Sequence, residues 1–112
     1  MVTALVADQE LQQELGPEAA PQATRDGIPT FWLRANEIHD AVRRLRNDVS
    51  RPFKMLYDLT AIDERGRRNR NGQQSCDYTV VYHLFSYERN AYVRLKVPLQ
   101  GDKPALPSIV DI

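Results

Sequence analysis

The chain has 112 residues, with 15 Lys and Arg against 15 Asp and Glu, so its formal net charge is zero. This length is typical of a single domain, here taken as residues 1–112, and the balanced charge argues against a global field that attracts nucleic acid or an anionic membrane. The one cysteine, Cys76, forms neither an internal disulfide nor, by itself, a zinc or iron-sulfur site, so a reduced, cytoplasmic setting is expected.

The first predicted element is a short N-terminal helix, with the Thr3 hydroxyl as its N-cap. Apolar residues recur at four-residue intervals along it, namely Ala7, Leu11 and Leu15. Gly16 is followed by a proline, and this pair ends the helix. Residues 17–24 are rich in proline and alanine and are predicted to be a linker.

A tight hairpin is predicted next, because Asp26 and Gly27 suit a turn between two short strands. The flanking strands are Gln22 to Arg25 and Pro29 to Arg34. A helix from Asn36 to Asn47 follows, with Asn36 as its N-cap. Its predicted apolar face is formed by Ile38, Ala41, Val42 and Leu45.

Three strands are predicted in the second half of the chain. The first runs from Phe53 to about Ile62. Pro52, just before it, disfavours helical geometry in Arg51, so the preceding helix cannot continue into this strand. The second, Tyr78 to Phe85, is apolar on both faces and should lie inside the sheet. A turn at 88–90 leads to the last strand. That strand alternates apolar Val93, Leu95, Val97 and Leu99 with Tyr92, Arg94 and Lys96.

Two segments of this half are predicted to be irregular or incomplete. Between Asp63 and Asp77 lies a polar loop with four arginines, Arg65, Arg67, Arg68 and Arg70. It is interpreted as a solvated loop, or as a segment that docks against an acidic surface of a partner protein in a larger assembly. After Pro107 or Ser108 a helix is predicted to begin, with an apolar face at Ile109, Val110 and Ile112. The chain is expected to be truncated within that helix.

Four side chains are candidates for acid/base chemistry, namely Asp58, Asp63, Glu64 and His83. The interpretation favoured for the three acids is solvent exposure on a strand and at its end, and the one favoured for the histidine is a hydrogen-bonded core residue. A metal site built from His39, His83 and Cys76 is also considered, but it needs three distant segments to converge. No residue is therefore assigned as catalytic, cofactor-binding or metal-binding.

The sequence resembles a known family in three strings. They are PFKMLYDLTAIDER, DYTVVYHLFSYERNAYVRLKVPL and ALPSIVDI, which occur in this order. They resemble the C subunit of bacterial NADH:quinone oxidoreductase, respiratory complex I. The upstream string ATRDGIPTFWL resembles the version of this family in which the C and D subunits are fused. The resemblance covers roughly residues 22–112. The family's acidic ERE segment and the following GI-F-GHP stretch, together with the D half, are not present in this sequence.

The resemblance implies a structural role. It implies a domain without flavin, iron-sulfur cluster or substrate site, located in the peripheral arm on the cytoplasmic face of the bacterial inner membrane. Its implied partners are the D region of the fused protein and the cluster-bearing subunits. The expected fold is α+β, a mostly antiparallel or mixed sheet of about four or five strands with a helix on one face.

A docking edge is predicted at the hairpin from Tyr78 to Val97, on the expectation that an outer strand is left unpaired. Charge reversal at Arg94 and Lys96 is expected to weaken assembly if this face docks. Two other classes of function stay open at this point. One is a free-standing interaction or regulatory domain with a ferredoxin-like arrangement, RNA binding included, and the other is a small hydrolase that uses Asp58, Asp63 and His83.

Overall fold

Five strands form one sheet in the computed structural model, which describes residues 2–66, 76–101, 106, 108 and 109. The strands are β1 (Ala20–Gln22), β2 (Thr30–Trp32), β3 (Met55–Asp63), β4 (Tyr78–Ser86) and β5 (Ala91–Leu99). Their order across the sheet is β1-β2-β5-β4-β3. β2 pairs in parallel with β5, and the other three pairs are antiparallel. The predicted mixed sheet, with β4 inside it, is confirmed.

Two helices accompany the sheet. The first, α1, spans Val2–Leu15, and the second, α2, spans Ile38–Arg43 and continues as a π-helical turn over Arg44–Asp48. The predicted apolar face is buried at all four positions, Ile38, Ala41, Val42 and Leu45. No helix in the described ranges is both long and apolar enough to cross a membrane. The helices and the sheet together confirm the α+β class.

The core lies between one face of the sheet and the helices. On β5, Val93, Leu95 and Val97 are completely buried, as the alternation predicts. They pack with Phe31 from β2 and with Tyr82 from β4 in one hydrophobic cluster. Removing a side chain of this size from water contributes about 1.5 to 3 kcal/mol to stability. We call this face of the sheet the helix face and the opposite one the open face.

Two predicted helix caps are wrong. The helix α1 begins at Val2, so Thr3 lies inside it instead of at its N-cap. The helix α2 begins at Ile38, after Glu37, and Asn36 is not its cap. The backbone amide of Glu37 donates to the Arg34 carbonyl at 2.9 Å, and its carboxylate accepts from the Arg34 amide at 2.8 Å. This local turn occupies the position where the cap was predicted.

The strands β1 and β3 also differ from prediction. β1 (Ala20–Gln22) lies within the predicted linker and shares only Gln22 with the strand predicted there. β1 ends at Gln22 because the turn that follows is wider than predicted and is organised by Asp26, which accepts hydrogen bonds from Thr24 and from the Ile28 amide. β3 begins at Met55, not at Phe53. The Phe53 amide donates to the Leu45 carbonyl at 2.8 Å, so Phe53 is attached to the end of the π-helical turn.

The predicted C-terminal helix falls largely outside the described residues. Ser108 and Ile109, which the structure does describe, are not helical. Leu106 and Ile109 are partly buried and pack against the core. Pro107, Val110 and Ile112, like Arg67, Arg68 and Arg70 in the polar loop, lie outside the described residues.

The end of α1 is fixed by several hydrogen bonds. Gly16 has a φ of 98°, in the left-handed region, and its amide donates to the Gln12 carbonyl at 2.9 Å. The Arg44 guanidinium donates to the Leu15 carbonyl at 2.8 Å and to the Glu14 carbonyl at 3.2 Å. These bonds satisfy carbonyl groups that a helix end leaves without partners. They also attach α1 to the π-helical turn.

A Gly16→Ala substitution is expected to lower the free energy of unfolding by about 1 to 2 kcal/mol, because a side chain disfavours the left-handed backbone. A Cβ atom there would also lie 2.8 Å from the Glu18 carboxylate. Urea denaturation measures the change. The matched control is Gly66→Ala, where the added Cβ meets nothing within 4 Å. Equal losses in both variants would show that the left-handed turn does not matter.

Candidate docking surfaces

β3 is an edge strand with an apolar sequence. Its only pairing among the described strands is with β4, so its outer backbone groups face away from the sheet. Four large side chains on it are substantially exposed, Met55 by 39%, Leu56 by 43%, Tyr57 by 60% and Leu59 by 49%. A long apolar edge of this kind is a template for association unless something covers it. β3 is therefore a candidate docking edge.

A β-bulge in β3 distributes its apolar side chains over both faces of the sheet. The pairing register with β4 shifts between Leu56, opposite Leu84, and Asp58, opposite His83. The extra residue lets Leu56 and Leu59 lie on the same face although they are an odd number of residues apart. Both therefore share the helix face, and Asp58 shares the open face with His83.

On the helix face, β3 and β4 form the floor of a groove of about 630 Å³. Its lining is mainly apolar, with two cations and two hydroxyl groups: Val42, Arg46, Phe53, Lys54, Leu56, Leu59, Val80, Tyr82, Leu84, Leu106, Ser108 and Ile109. Burial raises the pKa of the Tyr82 phenol above its usual value. The groove is thus an apolar surface with basic groups among its lining residues.

On the open face, aromatic side chains form a cluster that we call the aromatic patch, consisting of Met55, Tyr57, Phe85, Tyr87 and Tyr92. The ring centroids of Phe85 and Tyr92 are 4.8 Å apart, those of Tyr57 and Tyr92 are 5.3 Å apart, and those of Phe85 and Tyr87 are 5.0 Å apart. The Tyr87 hydroxyl contacts the Met55 sulfur at 3.1 Å. Tyr87 is 67% exposed. Exposed aromatic clusters are typical of protein interaction sites.

Sequence reasoning missed this patch. Phe85 and Tyr92 are directly opposite each other in the β4 and β5 register. A hairpin with its turn at 87–90 places these two residues opposite each other. The pairing could therefore have been inferred from the predicted turn at 88–90. The position of Tyr57 beside Tyr92 depends on the bulge, which has no clear sequence signal.

The predicted docking edge at the hairpin is wrong. β4 and β5 are inner strands of the sheet: β4 lies between β3 and β5, and β5 pairs with β4 on one side and, at Arg94 to Lys96, with β2 on the other. The guanidinium of Arg94 donates to Asp26 at 2.6 Å and to the His83 ring at 2.7 Å, and Lys96 donates to Gln22 at 3.1 Å. These cations hold the sheet together, so reversing their charge would disturb the fold and could not test docking.

The candidate acid/base residues are not gathered in one cleft. Asp58 and His83 are neighbours, with 3.8 Å between the carboxylate Oδ2 and the imidazole Nδ1. Asp63 lies at the far end of β3, opposite Tyr78. It is five residues from Asp58, and at the usual strand rise this separates the two backbone positions by about 17 Å. A proton-transfer partner must be within hydrogen-bond reach or one water away. The three side chains therefore do not form the predicted constellation.

The remaining two candidate acids have structural contacts. Arg65 forms a pair with Asp63 at 2.7 Å and lowers the pKa of that carboxyl to about 2. Glu64, predicted to be exposed, is buried instead and accepts a hydrogen bond from the Thr79 hydroxyl at 2.6 Å. Its backbone amide donates to Asp77 at 2.8 Å. These bonds join the two ends of the polar connection between β3 and β4.

The predicted metal ligands His39, His83 and Cys76 do not form a cluster. Within the described ranges, no group of three His, Cys, Asp or Glu side chains is arranged to hold a metal ion. Cys76 instead contacts the Thr79 hydroxyl at 3.4 Å. His39 lies next to Asp40 on α2, with 3.8 Å between Nδ1 and the carboxylate.

Lowering the pH below neutrality is expected to destabilise the domain through His83. Burial, and then the positive charge of Arg94 and Lys96, lower the pKa of His83 and outweigh the opposite effect of Asp58 and Asp26. The unfolded histidine keeps a pKa of about 6.5 and takes up its proton first. The free energy of unfolding is therefore unaffected by His83 above a pH of about 6.5. It decreases as the pH falls from there through the pKa of His83 in the folded state.

The measurement is urea denaturation of the wild type and the His83→Gln variant at several pH values. Glutamine keeps an acceptor for the Arg94 guanidinium but does not titrate, so this variant should lose less stability on acidification. Parallel curves for wild type and His83→Gln would contradict the assignment.

Comparison with known proteins supplies the family. Residues 31–112 match the family described as "Respiratory-chain NADH dehydrogenase, 30 Kd subunit". The chain belongs to this family. The match includes α2 and β3 to β5, so it covers both candidate docking surfaces. The free-standing ferredoxin-like interpretation receives no support from these comparisons.

Two relatives that are similar over most of the chain are named as the C/D subunit of NADH-quinone oxidoreductase. The protein from Methylococcus capsulatus is 52% identical over 97 residues, which are 87% of this chain and 16% of that protein. The protein from Acidiphilium cryptum is 49% identical over 104 residues, which are 92% of this chain and 18% of that protein. The chain thus spans less than a fifth of the length of these curated relatives.

A solved structure confirms the fold of this family member. A chain in the membrane-bound sulfane sulfur reductase, an archaeal respiratory membrane complex, superimposes with a TM-score of 0.71. The superposition covers 98% of this chain and 59% of that chain, at 20% sequence identity. At this identity the likeness concerns the fold.

Proposed function

We propose that this chain is the C portion of an NADH-quinone oxidoreductase subunit and acts there as a structural domain. The complex would pass electrons from NADH through flavin and iron-sulfur clusters to quinone. In this proposal the C portion itself binds no flavin, cluster or quinone. The observation that carries the proposal is the family match over residues 31–112, supported by relatives that are subunits of this enzyme.

The site geometry supports a structural role. The acid/base candidates are engaged in ion pairs or buried hydrogen bonds, as for Asp63 with Arg65 and Glu64 with Thr79. What the described residues offer to other molecules is apolar surface on both faces of β3. Such surfaces suit association between subunits, since aromatic side chains contribute most strongly at protein interfaces.

The proposed partners are the D portion of the fused protein and the cluster-bearing subunits of the peripheral arm, on the cytoplasmic face of the membrane. We assign the aromatic patch as the surface that meets a neighbouring subunit. Neither described helix lies over it, and its two most exposed rings, Tyr57 and Tyr87, are available for contact. Each tyrosine combines a large apolar ring with a hydroxyl that needs a polar partner when buried.

The proposal is tested by affinity purification of the tagged, full-length gene product from gently solubilised membranes. Mass spectrometry of the eluate should identify flavin- and cluster-bearing subunits, and the eluate should show inhibitor-sensitive NADH:quinone activity. A soluble product that purifies without these subunits would contradict the proposal.

A further inference from the structure

At one end of the β3–β4 pair, an aromatic ring and a carboxylate together hold an arginine. The Arg65 guanidinium lies 5.3 Å from the centroid of the Tyr78 ring and pairs with the Asp63 carboxylate at 2.7 Å. Asp63 on β3 and Tyr78 on β4 are opposite each other in the register. A guanidinium suits such a pair, because its plane stacks on a ring while its N–H groups donate to the carboxylate.

A second arginine is held by the same combination of groups. The Arg89 guanidinium lies 4.8 Å from the centroid of the Phe53 ring and donates to the Glu14 carboxylate at 2.8 Å. Here the ring and the carboxylate come from segments that are far apart in the sequence. A ring beside a carboxylate thus binds an arginine of the chain itself in two different settings.

The aromatic patch and Asp58 form a third combination of this kind. Asp58 follows Tyr57 on β3 and is opposite His83, which is two residues before Phe85 on the same face of β4. Residues two apart on a strand are separated by about 7 Å, so the Asp58 carboxylate borders the patch. The Asp58 side chain is 52% exposed and Tyr57 is 60% exposed. The rings of Tyr57 and Tyr92 meet at 77°, so they do not cover each other face to face.

Among the described residues, Asp58 forms no ion pair with a lysine or an arginine. It accepts from the Thr60 hydroxyl at 3.4 Å and lies 3.8 Å from the His83 ring, whose pKa is lowered by burial. The nearest guanidinium on this face, that of Arg94, pairs with Asp26 at 2.6 Å and donates to the His83 ring. The charge of Arg94 is therefore balanced by Asp26, and that of Asp58 is left for a cation from outside.

We propose that an arginine of the neighbouring subunit completes this third site, with its guanidinium stacked on the Tyr57 ring and donating to the Asp58 carboxylate. The inference rests on the proposed function, because it names the group that the neighbouring subunit brings to the aromatic patch. The negative charge of Asp58 selects a cation. Arginine fits better than lysine, since its planar guanidinium stacks and donates at the same time, as Arg65 does in this chain.

Arginine modification of the purified assembly tests the inference. The tagged, full-length gene product is purified together with the proteins that accompany it and is treated with phenylglyoxal, which reacts with accessible guanidinium groups. Mass spectrometry locates the modified arginines. An arginine of another subunit should be protected in the wild type and should react at least about tenfold faster in Asp58→Asn and in Tyr57→Leu, because each substitution removes a contact that shields it.

Two further variants serve as matched controls. Asp58→Glu keeps the negative charge and should keep most of the protection. Asp48→Asn removes another exposed carboxylate, on the π-helical turn, and should leave the protection unchanged. Unaltered reactivity of every arginine outside this chain would overturn the inference. A response confined to Arg94 would also overturn it, since Asp58 would then act only within the chain.

Failure of this inference is distinguishable from failure of the proposed function. Purification with the oxidoreductase subunits but without a responding arginine would contradict the inference alone. A responding arginine in a protein that is not an oxidoreductase subunit would contradict the proposed function and support the arginine site. A product that purifies without other proteins would contradict both.

Discussion

Replacing Arg89 with alanine is expected to lower the free energy of unfolding by about 2 to 4 kcal/mol. Its guanidinium, only 8% exposed, donates to the Glu14 carboxylate at 2.8 Å and to the Arg51 carbonyl at 2.7 Å. It also lies 4.8 Å from the centroid of the Phe53 ring. Arg89 thereby ties the β4–β5 turn to α1 and to the segment before β3.

The magnitude follows from what the substitution leaves behind. The Glu14 side chain is 20% exposed, and its Oε1 atom is buried without a hydrogen-bond partner among the described residues. In Arg89→Ala the second carboxylate oxygen, Oε2, also loses its partner. The Glu14 carboxylate is then a poorly solvated charge without a cation, which is strongly destabilising.

Chemical denaturation measures the loss, and a double-mutant cycle with Glu14→Gln separates the pair from the other contacts of Arg89. The two losses should be less than additive, because both substitutions remove the same interaction. The control is Arg43→Ala, whose pair with Asp40 is more than half exposed on both sides. That control should lose at most about 1 kcal/mol. A loss for Arg89→Ala no larger than for the control would contradict this account.

The double variant Tyr57→Glu, Tyr87→Glu is expected to prevent incorporation of the protein into the proposed oxidoreductase complex. Both rings are more than half exposed, so the substitutions should leave the fold of the domain intact. Replacing an anchoring tyrosine at an interface costs about 2 kcal/mol or more of association free energy, a factor of about 30 in affinity. A buried carboxylate adds a desolvation penalty.

The measurement is the amount of tagged variant that co-purifies with the other subunits from solubilised membranes, together with the thermal stability of the free variant. The matched control is Gln13→Glu, an exposed position on α1 that also introduces a negative charge. Normal incorporation of the double variant would show that the aromatic patch does not face a neighbouring subunit.

Local periodicity was sufficient to predict much of this fold. The apolar face at Ile38, Ala41, Val42 and Leu45, the inner position of β4 and the buried side of β5 all follow from spacing within one element. The parallel pairing of β2 with β5 was not predictable in this way. Residues such as Phe31 and Leu95 that meet in it are far apart along the chain.

The side chains that matter most for the candidate surfaces were harder to predict. Arg94 has the spacing of a solvent-facing strand residue, yet its guanidinium forms an ion pair with Asp26 from a distant turn. This contact lowers the pKa of the Asp26 carboxyl well below its usual range. Glu64 has the sequence context of an exposed strand end but is buried against Thr79. Such partners depend on tertiary packing, which no pattern within one element encodes.

The central claim, that this domain is structural within the oxidoreductase, is tested most directly by turnover per assembled complex. The variant Asp58→Asn, His83→Gln removes the carboxylate and the imidazole that β3 and β4 hold 3.8 Å apart. We expect inhibitor-sensitive NADH:quinone activity, divided by the amount of complex recovered, to match that of the wild type. Normal assembly with lost activity per complex would show that these residues take part in the reaction and would contradict the structural role.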